Sequence, residues 1–350
     1  YFLAQTSGQL IYGPLSDRFG RRPLMMGGLS IFVISTIAAV LAPNIWVLLL
    51  ARIGQALGGS AATTLTRAVV RDVYDPQHAA SALGHLAVAT VGIPALVPWL
   101  GGVISENYGW RAIFLVLLVV GGLGLTAAVW RLRETNLNPI DETNLVGILR
   151  IYRGLLKEKV FIGYTGFVAF HSGSYITFAT VAPIVIETLL HVRPGVYARF
   201  YIITALGYLI GSIIAGKLTV RLGLQIMMRF SIVASIIGLV VFSGLVLLGV
   251  LNLWSLFGTM TFICMGFGLG APSAMTGAIN VKPRVAGSAS GLMGAIQAST
   301  GAIVALITSY VFTGESAVPF VLMISGSIAV ACLFYGLVIM ASRREVMEGA

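Results

Sequence analysis

Arg52 lies seven residues beyond Ile45, inside an apolar run. A guanidinium at the centre of a membrane helix costs roughly 2.5–3.5 kcal/mol, so it must turn inward and find a partner. Gln55 and Gly59 follow at i+3 and i+7 on the same face. Two chemistries fit. Arg52 and Gln55 form either a structural hydrogen-bond hub or a proton-coupling pair. In the second case the cation favours the ionised form of a nearby carboxylate, and protonation of that acid changes the local charge.

A second group is Gly13-Pro14-Leu15-Ser16-Asp17-Arg18-Phe19-Gly20-Arg21-Arg22. Glycines at 13 and 20 allow a tight turn and close helix approach. Asp17 can accept charge-assisted hydrogen bonds from Arg18, Arg21 or a facing helix N-terminus. Gly13, Asp17, Arg18, Gly20 and Arg21 are therefore expected to act as a conformational latch. The alternative is that Arg21 and Arg22 set topology and contact anionic lipid.

Tyr164, Phe167, His171, Tyr175 and Phe178 recur at helical spacing. They make an aromatic face suited to flat lipophilic or cationic ligands through stacking and cation–π contact. An imidazole ordinarily exchanges protons near neutral pH, which makes His171 a coupling candidate as well as a substrate contact. Plain interhelical packing would produce the same stripe. Pro94, Pro98 and Gly101 or Gly102 share another stripe, where proline kinks a helix and glycine admits a neighbour. Gly54-x-x-x-Gly58, Gly207-x-x-x-Gly211 and Gly287-x-x-x-Gly291 read as packing seams. Gly266-x-Gly268-x-Gly270 sits in an apolar setting with no preceding strand, which excludes a nucleotide loop. None of His78, His85, His171 and His191 begins a His-Glu-x-x-His motif. No enzyme activity, cofactor or metal is expected.

These residues must be held by membrane helices. Of 350 residues, 57% are hydrophobic and 10% charged. A soluble domain carries about 25% charged residues, so soluble and disordered classes are excluded. Runs near the roughly 20 residues needed to span a bilayer occur at 1–12 (partial), 24–42, 45–66, 79–104, 111–130, 160–186, 197–216, 225–249, 254–280, 285–312 and 317–341. The connection 131–159 is far longer, carries Asn138-Pro139 and a weak amphipathic stretch, and reads as a linker. The net charge of +10 would suggest nucleic acid in a soluble protein. Here eighteen of the 22 Lys and Arg fall on alternate loops, against Arg111, Arg193 and Arg199 on the opposite ones. That bias marks the cytoplasmic side, so the linker and C-terminus are expected inside, with no nucleic-acid partner. Cys264 and Cys332 lie in apolar runs and imply no disulfide framework.

The halves repeat. Gly13, Leu15, Arg18 and Gly20 align with Gly216, Leu218, Arg221 and Gly223, while Asp17 faces Val220. Pro76, Ala79, Ser81, Ala82 and Gly84 align with Pro283, Ala286, Ser288, Ala289 and Gly291. Parallel repeats of several helices are a transporter signature. Comparing the halves leads to the expectation that about 44 residues, one helix and its loop, precede Tyr1, giving twelve spans when intact.

The Gly13-x-Leu15-x-Asp17-Arg18-x-Gly20-Arg21-Arg22 loop resembles the signature between the second and third helices of the major facilitator superfamily. Arg52-x-x-Gln55-x-x-Gly58-Gly59 resembles the fourth-helix motif of its proton-coupled members. Pro94-x-x-x-Pro98-x-x-Gly101-Gly102 is similar to the fifth-helix antiporter motif. With Arg67-Ala68-Val69-Val70-Arg71-Asp72, the pattern is most similar to the Bcr/CflA drug-resistance exporters, over the whole chain. Ala56 and Val97 stand where these motifs usually or often have glycine. The resemblance implies an all-α polytopic membrane protein of the major facilitator fold, in two six-helix bundles. Eleven spans are present in this chain, the first partial. The bundles are 1–130 (lacking its first helix) and 160–342, joined by the cytoplasmic linker 131–159, with a cytoplasmic tail 343–350. In this subfamily the first helix typically carries an acid tied to proton or substrate binding, which would complete the Arg52 picture.

The function implied is a proton-coupled antiporter that exports small lipophilic or cationic compounds by alternating access. It would work as a monomer in the bacterial inner membrane, with substrate, protons and the bilayer as partners. Tyr201, Tyr208 and Gln297 join the cavity candidates, because counterpart helices line the cavity of related transporters. The same fold also supports proton-coupled symport of a sugar or metabolite. The proline–glycine motif and a cavity poor in acids favour export.

Overall fold

The computed structural model describes residues 2–86, 104–105, 107–137, 145–191, 194–312 and 316–348. Its helices are α1 (Phe2–Phe19), α2 (Arg21–Val40), α3 (Ile45–Val73), a helical stretch at 76–86, α4 (Arg111–Arg131) and α5 (Leu145–Lys157). They continue as α6 (Lys159–Thr188), α7 (Pro194–Leu222), α8 (Leu224–Leu247) and α9 (Leu253–Asn280). A 3-10 turn at Pro283–Val285 leads into α10 (Ala286–Val311), and α11 (Val318–Glu348) follows.

Among the described residues, nine helices are long and apolar enough to cross a bilayer. They coincide with the predicted spans from 24–42 to 317–341, apart from 79–104. Beyond residue 86 that span falls largely outside the described residues, as do Pro94, Pro98, Gly101 and Gly102. The boundary expected at residue 12 is corrected, because α1 continues through Pro14 to Phe19. A proline inside a helix deprives the carbonyl four residues back of its donor. In α1 that carbonyl is Leu10, and the Tyr152 hydroxyl of α5 donates to it instead.

Helix ends follow local chemistry. The Asn44 side chain accepts the Val47 N–H at 3.0 Å and starts α3. Asn252 and Ser255 exchange side-chain and backbone hydrogen bonds of 2.8 and 2.9 Å at the start of α9. Gly20 and Gly223, equivalent in the repeat, both have positive φ, 95° and 82°, and turn the chain directly into α2 and α8. The repeat therefore extends to backbone conformation.

The chain forms two compact units. The first contains residues 1–75, 96–157 and 279–295; the second contains 76–95, 158–278 and 296–350. In the first, α3 packs on α2 so closely that a Cβ on Gly58 would come within 2.6 Å of the Gly28 carbonyl oxygen. Along α4 the buried residue is Gly121, and so apolar an exposed helix requires lipid around it. In the second unit α6 is buried along most of its length and packs on α11. Its core includes Phe178, Phe242, Phe257 and Phe320, with edge-to-face ring pairs 5.5 and 5.6 Å apart.

Candidate functional site

The most developed polar site lies in the first unit, where the last turn of α1 meets the start of α10. Asp17 is fully buried. One carboxylate oxygen accepts the Gly287 N–H at 2.8 Å and Arg21 Nη1 at 2.6 Å. The other accepts the Ser288 N–H at 2.7 Å and the Ser288 hydroxyl. A carboxylate therefore caps a helix N-terminus, where unpaired N–H groups and the helix dipole favour negative charge. The approach depends on Gly13, where a Cβ would meet the Gly287 carbonyl oxygen at 2.6 Å.

Arg21 joins two acids. Its Nε donates to Asp72 at 3.0 Å, and its Nη1 also reaches the Ser16 hydroxyl at 2.7 Å. Only the planar fork of arginine serves both directions at once. Of the five residues expected in the latch, Gly13, Asp17 and Arg21 meet here, and Gly20 supplies the turn. Arg18 instead lies exposed, its guanidinium 4.9 Å from the Phe19 ring centre.

Sequence reasoning did not assign roles to Ser16, Asp72, Glu134, Asn136 or Ser288. The Asn136 amide donates to the carbonyls of Asp17 at 2.7 Å and Ser16 at 3.2 Å, closing the end of α1. Glu134 accepts the backbone N–H groups of Arg21 and Arg22 at 2.8 and 3.1 Å, capping α2. Burial alone would raise the Glu134 carboxyl, but the N–H donors of Asn136, Arg21, Arg22 and Thr135 hold it below the ordinary carboxylate value. A cavity of about 220 Å³ opens beside this network, with Arg21, Arg71, Asp72, Asn136 and Arg284 among its lining. Ser288 had a faint signal in the repeat, whereas Glu134 is 113 residues from Arg21 and had none.

Arg52 and Gln55 pair as their spacing predicts, Nη1 donating to Oε1 at 3.0 Å. The Gln55 amide continues to the Thr36 hydroxyl at 2.9 Å, which donates to the Phe32 carbonyl at 2.6 Å. The Arg52 guanidinium also stands 5.8 Å from the Phe114 ring centre. Thr36 and Phe114 were not anticipated. The chain thus joins α3, α2 and α4.

The aromatic candidates lie in the second unit. Phe167 and His171 are edge-to-face at 5.4 Å, and Phe267 lies 5.4 Å from His171 and 5.5 Å from Tyr208. His171 is 1% exposed, with Nε2 2.9 Å from the Ser235 hydroxyl and Nδ1 3.4 Å from that of Ser231. Tyr175 and Tyr201 share a hydrogen bond between hydroxyls, and Phe178 stacks on Tyr201. Tyr164 is buried against Gly277. Gln297 is half-buried on α10.

Long apolar helices, a buried ion network and a sequence repeat that carries into the backbone at Gly20 and Gly223 mark a polytopic membrane protein with the internal repeat of a transporter. The Major Facilitator Superfamily model matches residues 1–306, and the chain belongs to that family. Multidrug resistance protein D of Escherichia coli is 28% identical over 339 residues, covering 95% of this chain and 83% of its own. The chloramphenicol resistance protein of Pseudomonas aeruginosa is 31% identical over 289 residues, 80% of this chain and 65% of its own. The resemblance to drug-resistance exporters is borne out by these relatives. The proton:xylose symporter XylE, bound to 6-bromo-6-deoxy-D-glucose, superposes with a TM-score of 0.75 over 96% of this chain and 84% of its own. At 14% identity this shows the fold alone.

Proposed function

We propose that the protein is a proton-coupled antiporter that exports small lipophilic or cationic compounds by alternating access. It works as a monomer in a bacterial inner membrane with its C-terminus in the cytoplasm. The observation that carries this reading is the Asp17 clamp, a fully buried carboxylate that holds α1 to the N-terminus of α10 and is itself held by Arg21. Such a clamp is strong when closed and depends on a few atoms, which suits an element that forms and breaks in each cycle. In this reading, bundles 1–130 and 160–342 rock about a midplane site, linked through 131–159, with the tail 343–350 beyond.

Arg52 and Gln55 are assigned to proton coupling, because a cation within a span must act on a partner in the protein interior. Tyr175, Phe178, Tyr201 and Tyr208 are assigned to substrate contact, while Tyr164, Phe167 and Gln297 support that face. His171, with hydroxyl groups at both ring nitrogens, fits a packing anchor better than a proton carrier. Pro94, Pro98, Gly101 and Gly102 keep the antiporter role that their motif implies. The export of drugs is supported by the names of the relatives described above.

The direction of coupling has a simple test. The protein is reconstituted in vesicles with a pH dye inside, and a lipophilic cation or chloramphenicol is added outside. Antiport makes the lumen alkaline, because substrate entry drives protons out. Symport makes it acidic, and that result would replace export with proton-driven import.

A further inference from the structure

The outward face of α5 plays no part in the function proposed above. The sequence suggests only weak amphipathicity here, yet this helix is the most amphipathic of those described. Its inner side is fixed. The Tyr152 hydroxyl donates to Leu10, the Gly154 carbonyl accepts Lys282 Nζ at 3.3 Å, and Leu155 is fully buried. These contacts set the rotation of the helix. Leu149 and Leu156 then point outward, 59% and 46% exposed. Arg153, Lys157 and Arg150 follow around the helix, all exposed. At about 100° per residue the two leucines align and the cations flank them, within about 120° of arc. The helix contains no acidic residue.

We propose that this face is a docking surface for the anionic phospholipid headgroups of the membrane in which the protein sits. Leu149 and Leu156 enter the boundary between headgroups and acyl chains, and Arg153 and Lys157, with Arg150 beside them, meet lipid phosphates. An apolar strip running into a cationic strip is the arrangement of a helix lying in the plane of the interface. Basic residues at that depth are attracted to a negatively charged leaflet. A second feature of the same unit agrees. Trp130, 81% exposed at the end of α4, is followed by exposed Arg131 and by Arg133, the aromatic–basic ending of a helix at the membrane–water boundary. Arg22 at the start of α2 donates to the Val129 carbonyl, so this ending stands at the same end of the unit as the Asp17 clamp. Tyr152 and Lys282 tie α5 to α1 and to the turn before α10, the two elements that the clamp joins.

The test uses the full chain in vesicles of phosphatidylcholine alone or with about one third phosphatidylglycerol, a composition that gives the surface a strong negative potential. Amide exchange is followed over residues 145–157. Phosphatidylglycerol should slow it roughly tenfold, added salt should reverse the effect, and R153Q/K157Q should abolish it while R153K preserves it. A nitroxide at Leu149→Cys should collide with lipid-soluble oxygen more than with a water-soluble nickel chelate. Equal exchange in the two vesicle types, or a nitroxide that meets mainly the nickel chelate, would overturn the proposal. Protection that needs an added soluble protein would overturn it too, and would assign the face to a protein partner. Both substituted residues are exposed, so the variant should fold as the parent does.

Discussion

Among the described residues, fully buried Asp17 accepts four hydrogen bonds, and of those donors Arg21 brings the compensating charge. Removing Asp17 leaves the buried Gly287 and Ser288 N–H groups unpaired and Arg21 with Asp72 as its remaining acid, and each unsatisfied buried group costs about 1–3 kcal/mol. Asp17→Ala should therefore lower unfolding stability in detergent by about 2–4 kcal/mol and abolish transport in vesicles. Arg18→Ala should change stability by less than about 0.5 kcal/mol, because that side chain is exposed over Phe19. Equal losses in the two variants would refute the division between them. Glu134 gives a pH signature. Its carboxyl is held low in the folded state, so its contribution is complete above the unfolded value of about 4.3 and fades as pH falls through the folded one. Melting temperatures of the parent and Glu134→Gln should differ at pH 7, and the difference should shrink progressively as pH falls below about 4.3.

At the scale of the helix, the apolar runs were readable because a bilayer demands about 20 predominantly apolar residues, a signal strong enough to survive single polar residues such as Arg52. Ends were less readable. Gly13 was expected in a turn but lies within α1, because close packing on α10 can use a glycine without any positive φ. The long range of the site was also hidden. Asp17 and Ser288 are 271 residues apart, and spacing along the chain carries no record of such a meeting. Only the motif residues and the repeat hinted at it. Tyr152 shows the same limit, since a tyrosine in a linker gives no sign that it completes the hydrogen bonding of a proline helix. A double-mutant cycle tests this. Tyr152→Phe should cost about 1–3 kcal/mol by leaving the Leu10 carbonyl unpaired. In a Pro14→Ala background the restored N–H serves that carbonyl, and the cost should fall by at least half. Additive losses would mean that the hydroxyl acts elsewhere.

At the scale of the whole molecule, the repeat conserves geometry and divides chemistry. Ser81 donates to the Gly216 carbonyl and Gly84 packs on Gly216 in the second unit, as Ser288 and Gly291 meet α1 in the first. With Val220 in the place of Asp17, the second copy keeps the close packing and loses the acid. Charge in the spans is asymmetric too, and Arg52 in α3 leaves two readings open. If it is a hydrogen-bond hub, a neutral donor of similar shape suffices. If its charge acts on an acid, only another cation will do. Gradient-driven efflux in vesicles separates them. Arg52→Gln should reduce coupled transport at least about tenfold with folding intact, while Arg52→Lys should recover part of it by keeping the charge despite losing the planar fork. Normal transport by Arg52→Gln would reduce Arg52 to the hub that ties α3 to Thr36 and Phe114, and proton coupling would have to be sought elsewhere in the protein.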